Sequence, residues 1–352
     1  MSILKSFDWK KYTNYLVVGG VVLIFGLLSL LGVADASITS LLERISIAAI
    51  LAVSLSMVVG FLGELSLGHA GFMCVGAYLG GKVAALLEPS LGNGFFNLFI
   101  SLLVGGLVAA VFGVIVGLPA LRLRGDYLAI VTLAFGEIVR SVVMNLPAGL
   151  FGGTLGLPTP RMDKKYLFIM GFLLLLACLS VTQNLIKSKH GRAIISIRDN
   201  EIAARAMGID VTKYKLFVFT ISSFFAGIAG VLYSFSMYTV QSANFDYNYS
   251  IEILVMVVLG GMGSINGSLI AAALITFLNI QLQTLLTGDL AVLQNLFYAL
   301  ILIAIVIYRN APSLKGFREK YNFNTFVQWV KRRFGGKSAQ VEEEKEVAED
   351  GQ

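Results

Sequence analysis

"GRAIISIRDNEIAARAMGID", residues 191–210, is a polar, helix-forming stretch set between two long apolar blocks. The medium around it decides the fold. From Lys187 to Lys215 the chain carries seven Lys/Arg, three acids and His190, whereas 57% of the 352 residues are hydrophobic and only 14% are charged. A water-soluble chain could not cover that much apolar surface. Apolar segments of about twenty residues recur from Asn14 to Tyr308, the length needed to cross a hydrocarbon core of about 30 Å. The short alternating segments of a β-barrel are absent. The reading is an all-α, polytopic integral membrane protein of about ten spans. These fall near 14–33, 38–62, 66–87, 97–120, 125–147, 165–186, 215–239, 250–262, 267–286 and 291–308, and the apolar run at 14–33 is taken as an uncleaved first span. The eighth is short and broken by "GGMGSING" (260–267), which suggests a half-helix or re-entrant element.

The charges orient the bundle. Lys and Arg gather before residue 14, at Arg122 and Arg124, through 187–215 and after 308, always on the same side of the ten crossings. Only Arg161, Lys164 and Lys165 fall in a loop on the other side, and Arg44, Lys82 and Arg140 lie within spans. By the positive-inside rule both termini and the 187–215 loop are cytoplasmic. The layout is a cytoplasmic N-terminus (1–13), a transmembrane domain (14–308) and a cytoplasmic tail (309–352), an interfacial helix followed by a disordered acidic end. Basic flanks of spans do not speak for nucleic-acid binding. Cys74 and Cys178 fall inside spans, and two His with no Cys/His cluster give no metal site and no cofactor.

Within the charged loop, Asn200 is placed to cap a helix, and Glu201 stands where the positive helix end favours an acid. Ala203, Ala204 and Ala206 favour helix, Arg205 lies one turn after Glu201, and Gly208 can end the helix. Two turns of helix cannot persist alone in water. This one must pack under its own bundle or against another protein.

"EIAARAMGI" (201–209) resembles the coupling loop of ABC importer permeases. "GELSLGHAGFMCVGAYLG" (63–80), "RLRGDYLAIVTLAFGEIVR" (122–140) and "ILVMVVLGGMGSINGSLIAAAL" (253–274) resemble the branched-chain amino acid permeases of the LivM kind. The likeness runs in order from about residue 40 to 308. It implies a permease subunit in a bacterial inner membrane, paired with a sister permease as a heterodimer. It also implies two cytoplasmic ABC ATPase subunits, an extracytoplasmic solute-binding protein and an amino-acid substrate such as leucine, isoleucine or valine. On this basis Arg192, Arg198, Asp199, Asn200, Glu201, Ala203, Ala204 and Gly208 form the ATPase-coupling set, with the Ala203/Ala204 face fitting a groove. The chain is not an enzyme on this reading. Its nearest approach to a phosphate loop, "FGGKS" (334–338), has Lys331 where the first glycine belongs, so the nucleotide belongs to another subunit.

Other features carry two readings each. The small residues of 60–81, including a Gly76–Gly80 pair, suit close helix packing, as do Gly260, Gly261 and Gly263. Glu64, Ser66 and His69 are pathway candidates, with Glu64 and His69 placed near the cytoplasmic surface, where water could solvate them. Glu137 and Arg140 sit mid-span on one helix face. They form either an intrahelical ion pair or a pathway-lining pair. The loop "AGLFGGTLGLPTP" (148–160) should be turn-rich and non-helical. Competing functions are a urea or other small amino-acid permease of the same branch, and a stand-alone ion-coupled transporter built around the broken eighth span.

Overall fold

The computed structural model describes residues 36–286 apart from Arg124 and Tyr238, together with Gly19, Gly20, 296–300, Ile303 and Ile307. The expected spans at 14–33 and 291–308, the 1–13 segment and the 309–352 tail therefore lie wholly or largely outside the described residues. The chain divides into two units, Met1–Thr287 and Gly288–Gln352. In the second, the described residues are helical.

The first unit is an all-α membrane bundle. Its helices are α1 (Ala36–Ser56, continued by a π-helix, Met57–Leu62), α2 (His69–Leu91), α3 (Phe95–Ala120), α4 (Asp126–Asn145), the single turn α5 (Ala148–Phe151), α6 (Lys164–Lys187), α7 (Lys189–Asp199), α8 (Glu201–Ala206), α9 (Val211–Ser236), α10 (Tyr247–Gly260) and α11 (Ile265–Leu285). Among the described residues seven helices are long and apolar enough to cross a membrane, and α10 is a shorter apolar helix. These eight helices answer to the eight expected spans that fall within the described residues.

α1 is the hub. It is apolar on every side over Ile47–Leu62, and nearly every residue there is buried, as a helix enclosed by other helices must be. α6, α9, α10 and α11 surround it. On its other flank α9 joins α2 and α3. Lipid gives helices no hydrophobic reason to associate, so contact depends on close backbone approach. A methyl group at Gly76 would overlap the Gly227 carbonyl, and one at Gly80 or Gly105 would overlap Val231. Gly230 lies against the Met73 carbonyl.

Two elements are broken inside the bundle. Residues 63–68 are non-helical and join the π-helix to α2. Their backbone finds partners in neighbours, with Leu67 N donating to Thr132 Oγ1 (3.0 Å). α10 begins after a 3₁₀ turn (Ser242–Phe245) in which Ser242 and Phe245 are buried and Ala243 and Asn244 are exposed. At 14 residues it is about 21 Å long, short of a full crossing. The half-helix expected around 250–262 is thus a real but partial span. The first turns of α2 and α10 meet where Ala70 N donates to Ser250 Oγ (3.2 Å). Irregular backbone at this depth is tolerated because protein encloses it.

The 148–160 loop departs from its expected character. It holds the turn α5, a 3₁₀ turn (Gly153–Leu155) and a strand β1 (Leu157–Pro158), which pairs antiparallel with β2 (Thr239–Val240). β2 supplies the partners that a loop read alone does not show.

Candidate functional site

The polar loop folds as two helices rather than the single one expected. Ser188 Oγ accepts from Gly191 N (3.2 Å) and starts α7, whose Gly191, Ile194 and Ile197 face the bundle. Asn200 then caps α8, its Oδ1 accepting from Ala203 N (3.0 Å). Gly208 takes φ +83°. Gly208 N donates to Arg205 O (3.0 Å) and Ile209 N to Ala204 O (3.1 Å), the paired bonds of a Schellman stop. The Glu201–Arg205 pair closes at 2.9 Å.

α8 is fastened to the core by charge. Lys215 Nζ, in the second turn of α9, pairs with Glu64 Oε1 and with Glu201 Oε2 (3.1 Å), and only 3% of the lysine side chain is exposed. One cation thus ties α8 to the broken stretch before α2. A second tie runs from Arg198 Nη1 to the Gly60 carbonyl (3.2 Å), in the last turn of the π-helix, where carbonyls lack helical partners. A Cβ at Gly63 would strike Arg198, and Gly63 already needs φ +79°. Ile202 on the outward side of α8 and Met207 at its C-cap are 74% and 82% exposed, with the Arg205 side chain, also exposed, beside them. The inventory is a rigid knob with a greasy tip, tied to the end of the hub helix. It offers no nucleophile, and no group of His, Cys, Asp and Glu among the described residues could hold a metal.

A family model described as a branched-chain amino acid transport system / permease component matches residues 37–306. The chain belongs to this permease family. It is 38% identical over 257 residues to the high-affinity branched-chain amino acid transport system permease protein LivM of Salmonella typhimurium, a match spanning 64% of this chain and 59% of that protein. LivM of Escherichia coli matches at the same identity and coverage. The chain thus spans about three fifths of the length of these relatives. The ribose import permease protein RbsC of Haemophilus influenzae is 29% identical over 71% of this chain and 78% of its own length. No solved structure matches.

In this permease the residues singled out from sequence scatter. Arg192 and Ala203 point outward, but Ala204 is 4% exposed and turned into the protein. The expected Ala203/Ala204 face is therefore split, because a two-turn helix cannot show neighbouring residues to one groove. Asp199 pairs with Arg198 (3.0 Å). His69 is not near solvent; it is 1% exposed. Ser222 Oγ donates to Ser54 O (2.6 Å), so the 3.0 Å contact between Ser222 Oγ and His69 Nε2 needs the proton on Nε2. That leaves Nδ1 buried without a partner. Ser66 is buried beside Gly68 N. Glu137 and Arg140 do pair within α4, at 2.8 Å, with about a third of each side chain exposed. Gly260 packs on Gly267 and Ser268, while Gly261 and Gly263 take positive φ in the turn to α11. Sequence reasoning missed Lys215. It was counted as a flanking charge, and its partners lie 151 and 14 residues away.

Proposed function

We propose that this chain is the membrane-spanning permease subunit of an ATP-driven importer of branched-chain amino acids. It sits in a bacterial cytoplasmic membrane with both termini and α8 in the cytoplasm. It works with a sister permease, two ABC ATPase subunits and an extracytoplasmic solute-binding protein, and it hydrolyses no ATP itself. The family match and the names of the LivM relatives support the substrate class.

One observation carries the mechanical part of this reading: an apolar tip, Ile202 and Met207, held outside the bundle by a buried ion cluster. Exposed apolar side chains on a short, well-capped helix suit a protein partner. Its internal anchors give a push somewhere to go. In this mechanism the ATPase subunits close and press on α8. Glu201 passes the displacement to Lys215 and so to α9, Glu64 passes it to the broken stretch 63–68, and Arg198 to the π-helix. α9 packs against α1, α2 and α3, so its tilt opens the bundle alternately to each side. Arg192, exposed on α7, adds positive charge around the docking surface.

The test is cross-linking. Met207→Cys in the assembled importer should form a disulfide with a cysteine placed in the ATPase docking groove, and the yield should change on adding ATP. The absence of any adduct across a panel of ATPase cysteines would refute docking at this tip.

A further inference from the structure

A cavity of about 260 Å³ lies between α1, α9, α10 and α11, well away from the α8 tip. Its wall mixes opposite charges with apolar side chains. Arg44 of α1 and Glu252 of α10 both line it, and Ile47, Met256 and Ile280 supply apolar surface. Asn279 of α11 also lines it, donating from Nδ2 to Glu252 Oε1 (3.2 Å), while its own Oδ1 accepts from Gln283 Nε2 (3.3 Å). The carboxylate is thus held in place by a short hydrogen-bonded chain.

Arg44, in the third turn of α1, is open to solvent on one side, whereas Glu252, in the second turn of α10, is half-buried. Glu252 lies two residues beyond Ser250, which meets the buried start of α2. Charged side chains within a span face a cavity or a partner and commonly mark a solute path. Besides the Glu252–Asn279 hydrogen bond, α10 and α11 meet through Gly260, Gly267 and Ser268. The volume falls just under the ~300 Å³ at which pockets for drug-sized ligands begin. That suits a molecule of amino-acid size.

We propose that this cavity is a transient binding site for a zwitterionic α-amino acid, its carboxylate toward Arg44, its ammonium toward Glu252 and its aliphatic side chain against Ile47, Met256 and Ile280. The inference rests on the transport reading above and adds a site inside one permease chain. It also replaces Glu137 and Arg140 as the zwitterion-matching pair, since the Glu137 Oε2 and Arg140 charges already pair with each other within α4. A phospholipid with an ethanolamine headgroup shares the ammonium-plus-anion chemistry, so the experiment separates the two.

The test is equilibrium binding of radiolabelled leucine to the purified full complex, without binding protein, in nanodiscs lacking ethanolamine lipids. ATP-driven leucine uptake by the same preparation is measured in parallel. Saturable binding is expected, weakened at least tenfold by Glu252→Gln and by Arg44→Gln. Isoamylamine, which lacks the carboxylate, should compete poorly with wild type, yet lose no further ground against Arg44→Gln. 4-Methylpentanoate, which lacks the ammonium, should behave in the same way toward Glu252→Gln. A merely structural role for either residue would not produce that pairing of variant with analogue. Uptake without saturable binding, or binding untouched by both substitutions, overturns the site and leaves the transport reading intact. Displacement of leucine by added phosphatidylethanolamine assigns the cavity to a headgroup and likewise overturns it. Failure of the wild-type complex to import leucine overturns the transport reading instead.

Discussion

Lys215 is held between Glu64 and Glu201, two carboxylates from distant parts of the chain, with 3% of its side chain exposed. Removing one partner of a buried ion pair costs about 3–5 kcal/mol, because the remaining charge stays buried and uncompensated. Lys215→Met should therefore lower the thermal unfolding temperature of the solubilised protein markedly, and adding Glu64→Gln should recover part of the loss. Wild-type stability in the single variant would show that water, not lysine, balances the carboxylates. Asn200→Ala is a milder case. Losing that cap should cost about 1 kcal/mol of α8 stability, read as faster amide exchange over 201–206. The cap, the Glu201–Arg205 pair and the Gly208 stop were all legible in sequence because each is a contact within a few residues. The Lys215 cluster was not, since nothing local says which way a helix turns its lysine.

At the scale of elements, the long helices appear where apolar length and breakers place them, mostly to within a few residues. The structure adds what needs neighbours: a second helix before α8, a non-helical stretch at 63–68 and a strand pair joining 157–158 to 239–240. The α10–α11 turn shows how tight such packing is. A Cβ on Gly60 would lie 2.5 Å from Gly263 N, and Gly263 itself holds φ +85°. An L-residue in the left-handed region costs about 1–2 kcal/mol. Gly263→Val should strain the turn through its left-handed backbone, lowering both the folded yield and the unfolding temperature. An unchanged yield and melting curve would mean that the turn is free to relax.

For the whole molecule, orientation is the property on which the rest turns. Leu155 is 81% exposed at the end where β1 and β2 pair, and Met207 is 82% exposed at the end where α8 sits. Cys74 and Cys178 are buried, so native thiols should give little background. In intact cells a membrane-impermeant maleimide should label Leu155→Cys, and should reach Met207→Cys only after permeabilisation; the opposite pattern would invert the assignment. The Glu137–Arg140 pair on α4, with about a third of each side chain exposed, also belongs at this scale. A charge pair at mid-span does not face lipid alone, so its surroundings in the assembled importer are expected to be polar or protein. The most direct measurement is ATP-driven leucine uptake by proteoliposomes of the full complex carrying Ile202→Asp with Met207→Asp. Both residues are already exposed, so the chain should insert and fold as before while uptake and ATPase copurification are lost. Uptake at the wild-type rate would contradict the claim that α8 is the point through which this permease is driven.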